Sequence, residues 1–405
     1  MEIILYEDSE VSGLYPVTLT RPAFDIRTGG YTLLEAVNIV FPKALVFAHS
    51  RALVHDVSHV HQFSDSEKTT GGFLFLNARL APSLTDLKLV EKIVRDSKEV
   101  CFIDADGAVA GFFTETLTHK SAEIAQALEH HSKGGVRHNL NWKLLTHLED
   151  IIFFNRDELA DNLRIATEKM RAKKRGLYLG VGVKLPKECV YDTSKGPIVI
   201  GDHVTVAPFT VLKGPLMVGQ SSIIKEFTVI EGGTTIGPVC KVGGEVSGSI
   251  MDGYSNKQHT GCLFDSYIGR WVNLGGGTFT ADLKNTYSTI TIQGRDSGAQ
   301  FLGSVFGDFS KTSINTSIFP GRVIGVCAHL YDTVAEDVPS FTSHVRPGML
   351  YELPLRLAQK GQEAMAVRRG VLWNDMDRAR LEKLFEMTAS EREAKKVSKE
   401  KISFY

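Results

Sequence analysis

The chain has 405 residues, of which 43% are apolar, 23% charged and 9% aromatic. This composition excludes a fibrous or largely disordered protein and fits two or three domains with self-sufficient cores. With 46 basic and 47 acidic side chains the net charge is −1, so the chain lacks the basic excess that marks general nucleic-acid or membrane-surface binders. The five cysteines (101, 189, 240, 262, 327) are widely spaced and include no C-x-x-C pair. They suggest neither a disulfide framework nor a zinc knuckle, and fit a reducing, cytoplasmic compartment. Met1 to Tyr6 lacks the features of a signal peptide, and no apolar run reaches the roughly 18 residues of a transmembrane helix.

Residues 1–165 read as an α/β domain. Short apolar runs at Ile3–Tyr6, Ala44–Ala48 and Gly72–Leu76 predict buried strands. Residues 32–40, Leu84–Arg95 and Ser121–His130 have helical spacing. Val100–Ile103 and Val109–Phe113 flank the turn Asp104-Ala105-Asp106-Gly107, as in a hairpin. Alternating strands and helices imply a largely parallel sheet. Asp157–Arg175 reads as a helix with a basic end, its last residues (166–177) linking to the next domain.

The 37 glycines find their explanation in a repeat. An aliphatic residue recurs every six positions at Ile200, Val206, Leu212, Val218, Ile224, Ile230, Ile236 and Val242. Leu179, Leu185 and Tyr191 keep the step upstream. It resumes downstream in a new phase at Ile250, Asn256, Cys262, Ile268, Leu274 and Thr280, then at Phe306, Thr312, Ile318, Ile324 and Leu330. Period six is the mark of a hexapeptide parallel β-helix, a triangular prism with about 18 residues per coil. Residues 178–345 would make eight or nine coils, each burying its inward side chain against its neighbours. Residues 346–405 are polar and helical, over Leu353–Val367 and Met376–Met387, and end in a charge run read as a solvated, frayed helix or a partner-binding tail.

The break in the hexad rhythm is where chemistry is expected. Asn256 would hold a core position, and Lys257, Gln258 and His259 crowd beside it. Such local rule-breaking tends to mark function. Residues 267–287 add three consecutive glycines, Asn273, Asp282, Lys284 and Asn285. An imidazole can take a proton from an amine or hydroxyl attacking a thioester. Neighbouring lysines can hold a phosphate, and glycines admit a pantetheine arm or a sugar. The competing reading of His259 is a histidine bonding a turn. His55, His59 and His61 lack a carboxylate or cysteine pattern, and His203, His259, His329 and His344 lack the paired spacing of a zinc site on coils, so no metal site is read.

With Lys257-Gln258-His259 and Asn273-Leu274-Gly275-Gly276-Gly277-Thr278 in this order, residues 178–345 resemble the acetyltransferase half of the bifunctional UDP-N-acetylglucosamine pyrophosphorylase/glucosamine-1-phosphate N-acetyltransferase family. That resemblance implies a left-handed parallel β-helix with His259 as general base. It implies Lys257, Asn273, Asp282 and Lys284 as sugar-phosphate contacts, acetyl-CoA lying near Gly276 and Thr312, and a homotrimer with the site between adjacent prisms. Two departures bear on the acceptor sugar: Cys262 replaces the family's tyrosine, and Asp282 an asparagine.

The first domain, through Leu14-Tyr15-Pro16-Val17-Thr18, Thr20-Arg21-Pro22 and Gly29 to Glu35, resembles the Rossmann-like nucleotidyltransferase half of the same family. The resemblance implies a sugar phosphate or nucleotide sugar as ligand, Mg2+ for nucleotidyl transfer, and Arg21 and Arg27 either gripping phosphates or serving as plain surface arginines. Departures are serious: Asp8 to Gly13 replace the family's glycine-rich loop, Ala23 replaces a lysine, and Arg79 stands where a metal-binding aspartate is expected. The expectation is therefore a transferase that acetylates an amino-sugar 1-phosphate and forms a UDP-sugar with its first domain. Nucleotidyl transfer alone, or non-catalytic nucleotide-sugar binding, are the alternatives.

Overall fold

The computed structural model describes residues 1–57, 60–63, 72–115, 136–168 and 170–402. The helix expected over Ser121–His130 and the residue His59 lie outside them.

The first domain is built on a sheet of six strands: β1 (Glu2–Tyr6), β2 (Leu45–His49), β3 (Phe73–Asn77), β4 (Glu99–Ile103), β5 (Val109–Thr114) and β6 (Val136–Asn139), in the order β2-β1-β3-β5-β4-β6. Only β5 runs antiparallel to its neighbours. Ile3, Leu5, Leu74 and Leu76 face one core; Ile4, Tyr6, Phe75 and Phe112 face another. Burial on both faces explains why these strands read as unbroken apolar runs. Helix α1 (Leu33–Val40) starts at a Thr32–Glu35 capping box, and α2 (Leu84–Arg95) at Ser83. The third helix differs from expectation: α3 spans Leu148–Ala166, nine residues earlier, and the basic segment after it is not helical. Buried Asp150, Asn155 and Asn162 hid its start by interrupting the apolar stripe. The polar strand β6 gave no signal at all.

The second domain is the left-handed parallel β-helix, with eight coils. All eight residues from Ile200 to Val242 in the first hexad series are buried inside it, as are Phe306, Ile318, Ile324 and Leu330. The middle series needs correcting by one residue. Register pairs Ile230 with Val246 and Ile236 with Met251, so the sides from Val242 to Val246 and from Val246 to Met251 are short. The inward residues are then Met251, Lys257 and Leu263, and not Ile250, Asn256 and Cys262.

The prism's three faces have different coverings. On one, the outward column Val199, Met217, Thr235, Ile250, Tyr267, Val305, Val323 is held in register. Its apolar members join the core of the first domain, which docks there with Ile290, Ile292 and Leu302 from the insertion 281–303. A buried ion network fixes this docking. Arg21 is 1% exposed and pairs with Asp252 and Asp308. Arg270 bonds Asp25 (2.7 Å) and Asp252 (3.1 Å), and the Tyr267 hydroxyl donates to Asp252 (2.6 Å). Burial alone would raise the Asp252 carboxyl, but Arg21 and then Arg270 hold it well below the usual carboxylate range.

On a second face the chain's end folds back. A hairpin (Thr342–Arg346, Met349–Glu352) leads into α4 (Leu355–Val367), α5 (Asp375–Met387) and α6 (Ala389–Ala394). The end is docked, not frayed: Arg392 is buried, lies over the Phe385 ring at 4.1 Å and bonds Glu352 at 3.1 Å. The third face is left bare, with Val190, Phe279 and Phe319 exposed.

Replacing Arg21 by Met strands two buried carboxylates and should cost about 3–5 kcal/mol of stability, read by urea unfolding. A loss under about 1 kcal/mol would show that the network does not hold the domains together.

Candidate active site

His259 lies at a prism corner, between the strand carrying Asn256 and Lys257 and the one starting at Gly261, and its side chain is exposed. It lines a cavity of about 480 Å³. The outward column of the helix-covered face crosses that cavity: Lys241, Asn256, Asn273 and Lys311 stand one above another on successive coils. The end of α4 closes it with Met365, Arg368 and Arg369.

The cavity's charge is one-sided. Its lining holds Lys241, Lys311, Arg368, Arg369 and His259, and no carboxylate. Burial, then Arg369 and Arg368, push the Lys241 ammonium down, and burial with Arg368 nearby lowers the Arg369 guanidinium. Burial brings Lys311 down to about 8. Arg369 is tied by its Nη2 to the Asn256 side chain, whose amide donates to Asn273 Oδ1 at 3.2 Å, while its own Nε has no partner. Cations that depress one another in a recess make a site for an anion with several charges.

Of the residues expected to act here, His259, Asn273 and Gly276 come together. A Cβ added at Gly276 would lie 3.5 Å from that of His259, so a side chain there would grow over the imidazole. Gly275 and Gly277 serve stacking instead: a Cβ would collide with the Ser313 carbonyl and the Asn315 side chain. Lys257 is corrected. As an inward residue it is 1% exposed, and its ammonium donates to the carbonyls of His259 (2.7 Å) and Gly243 (3.1 Å), so it braces the corner from inside. Thr312 is also inward, bonding Gly275 N–H (2.8 Å) and the Thr278 hydroxyl (2.6 Å). Asp282 and Lys284 sit on the insertion 281–303, outside the cavity lining, and Lys284 bonds the Thr289 carbonyl at 2.7 Å. Sequence reasoning missed Lys241 and Lys311. The steps of their column are uneven, 15 residues from Lys241 to Asn256 and 38 from Asn273 to Lys311, so no fixed period marked them; nothing local marked Arg368 and Arg369.

The first domain's arginines are likewise engaged within the protein. Arg21 belongs to the docking network, and Arg27 bonds Glu35 through both Nη atoms (2.8 and 2.6 Å), so neither is free to grip a phosphate. At the end of β3, Arg79 bonds both Asp8 oxygens (2.8 and 2.7 Å) and the Leu145 carbonyl (3.0 Å), and Asn77 donates to Asp8 at 2.7 Å.

Residues 3–171 match the family model described as sugar nucleotidyl transferase. The match spans the first domain. A stretch of 91 residues is 34% identical to the bifunctional sugar-1-phosphate nucleotidylyltransferase/acetyltransferase of Sulfurisphaera tokodaii, covering 22% of this chain and 23% of that protein's length. Among solved structures, a putative acetyltransferase of Bacillus cereus aligns at 16% identity over 50% of this chain and 98% of its own, with a TM-score of 0.29. The UDP-N-acetylglucosamine acyltransferase of Francisella novicida aligns at 16% identity over 54% and 88%, with a TM-score of 0.22.

The magnesium expected of a nucleotidyl transferase does not fit these residues. Where the resemblance places its aspartate stands Arg79, a cation that neutralises Asp8, the nearest carboxylate. Among the described residues no group of three or more His, Cys, Asp or Glu side chains is arranged to hold a metal ion, and no helix is long and apolar enough to cross a membrane.

Burial lowers the Lys257 ammonium to about 8 from 10.5. Between these values the unfolded chain binds more protons than the folded one, so stability rises with pH. The penalty is fully present below about pH 8. Lys257→Met should remove this one contribution, making unfolding free energy climb less steeply than in wild type from pH 8 to 10. Parallel urea titrations at several pH values read the difference; identical slopes would place the ammonium in water.

Proposed function

We propose that the β-helix transfers an acetyl group from acetyl-CoA to the amine of an amino-sugar 1-phosphate. The observation that carries this reading is His259 on the wall of a recess lined by four Lys and Arg side chains and no carboxylate. Both substrates are polyanions, and the recess offers charge to match. His259 accepts a proton from the amine as its nitrogen attacks the thioester carbonyl. The tetrahedral adduct collapses, the carbon–sulfur bond breaks, and the departing CoA thiolate takes up a proton. Asn273 and Gly276 shape the floor beside the imidazole, and Lys241, Lys311, Arg368 and Arg369 hold phosphates. The working form is a cytoplasmic homotrimer. Its support is the bare face and its adjoining corner, where Phe209 and Phe227 stack at 5.3 Å while 55% and 71% exposed, and Ile314 is 69% exposed.

For the first domain the Asp8–Arg79 pair favours binding over turnover: a nucleotide sugar or sugar phosphate is held without Mg2+ and without pyrophosphate release.

Incubation with acetyl-CoA and glucosamine 1-phosphate should release free CoA. His259→Ala should lower kcat about a hundredfold or more while leaving KM for acetyl-CoA unchanged. Absence of turnover across a panel of amino-sugar phosphates defeats the acetyl-transfer reading. Chelation by EDTA should leave acetyl transfer intact, and pyrophosphate release from nucleoside triphosphate plus sugar 1-phosphate should be absent with or without Mg2+. Magnesium-dependent pyrophosphate release would instead restore catalysis to the first domain.

A further inference from the structure

A second cavity, of about 640 Å³, lies where the first domain, the prism and the final helices meet. It falls within the size range of small-molecule sites, roughly 300–1,000 Å³. The acetyl-transfer chemistry makes no use of it. Its walls are aromatic. Tyr254 and Trp271 occupy successive turns of one prism corner and stack at 4.5 Å with an interplanar angle of 17°. Phe309, one coil further on, meets Trp373 edge-on at 6.2 Å and 86°. Val371, Leu372, Leu381 and Leu384 complete the apolar lining.

Most of its charged groups are paired within the protein, while Asp56 is exposed and Arg21 Nε has no hydrogen-bond partner among the described residues. Arg21, Arg270 and Asp308 belong to the docking network, and Arg380 pairs with Asp377 at 3.2 Å. Two neutral polar atoms are also left over: Gln362 Oε1, on a side chain 2% exposed, and Trp373 Nε1 have no hydrogen-bond partner among the described residues. Buried acceptors and donors are normally paired. A ligand matching these walls is flat and carries both an N–H donor and an acceptor. The geometry points to a nucleobase site: the base stacks against the aromatic walls, donates to Gln362 Oε1 and accepts from Trp373 Nε1. Base–aromatic stacking is worth about 1–3 kcal/mol per base, and the two hydrogen bonds add to it.

The chain reports on this site itself. Of its three tryptophans, Trp142 is fully buried in the first domain's core, while Trp271 and Trp373 line the cavity. Adenosine and uridine, titrated separately into the full-length protein, should give saturable quenching of tryptophan fluorescence with at least one of them. Ala366→Phe, which fills the cavity from α4, should abolish it with an unchanged melting temperature. Trp373→Phe keeps a ring, loses the donor, and should weaken binding about fivefold, with Trp271 still reporting; it serves if Ala366→Phe does not fold. No saturable quenching by either nucleoside up to millimolar concentration would overturn the assignment, as would quenching unchanged in both variants. His259→Ala should bind the nucleoside like wild type, so failure here is distinguishable from failure of acetyl transfer.

Discussion

A six-residue side has room for one inward residue, and each coil must bury it against the coil above and below. That constraint orders everything outside the prism. Once Ile200, Val218, Ile236 and their equivalents stack inward, the residues beside them form straight outward columns one coil apart. The columns behave as independent surfaces, and the chain has given each its own character. One is apolar and seats the first domain; one is polar and cationic and carries the candidate site; the third is bare. The ion network around Arg21 and Asp252 follows from the first of these. Charges at the rim of an apolar interface, removed from water on docking, are tolerated only when fully paired and hydrogen-bonded.

The cationic column shows how the same regularity builds chemistry. Lys241 and Lys311 are separated in sequence by 70 residues, yet register places them on one face with Asn256 and Asn273 between. Two further cations come from the end of α4, tied down through Arg369 to Asn256. Gathering like charges opposes folding, and Lys241 and Arg369, lowered by burial and then by neighbouring arginines, register that opposition. Such an arrangement would be balanced by a bound anion, and it joins the tail to the prism in one recess. Lys257 belongs to a different logic. Turned inward, it uses its donors to brace the backbone that presents His259, an orientation role within the same corner.

The sequence revealed the architecture more fully than the site. Uninterrupted hexads identified the prism because period six has no helical or hairpin counterpart. The middle phase went astray by one residue for a physical reason. Ile250 is aliphatic because the first domain covers it from outside, so inward and outward burial are indistinguishable by hydropathy alone. The error carried Asn256 inward and Lys257 outward, reversing their roles. Arg21 and Arg27 looked like phosphate ligands because arginine is suited to that work. Asp252 and Asp308, the partners of Arg21, lie 231 and 287 positions away, beyond any local pattern. His259 and Asn273 were legible because their motif is short and contiguous; Arg368 and Arg369 sit in an ordinary amphipathic helix.

The first domain carries the sharpest tension between family and residues. In open α/β sheets ligands bind beyond the carboxyl ends of the strands, and here the ends of β1 and β3 hold Asp8, Asn77 and Arg79. A divalent ion would bring two positive charges and open coordination positions for phosphate oxygens. Arg79 brings one charge, already shared with Asp8, and five fixed N–H donors that cannot coordinate an oxygen as a metal does. Such a centre can hold a ligand by hydrogen bonds but cannot draw charge from a triphosphate in the same way. With Arg79 paired to Asp8 from within the chain, the fold keeps its shape and its seat on the prism without that metal.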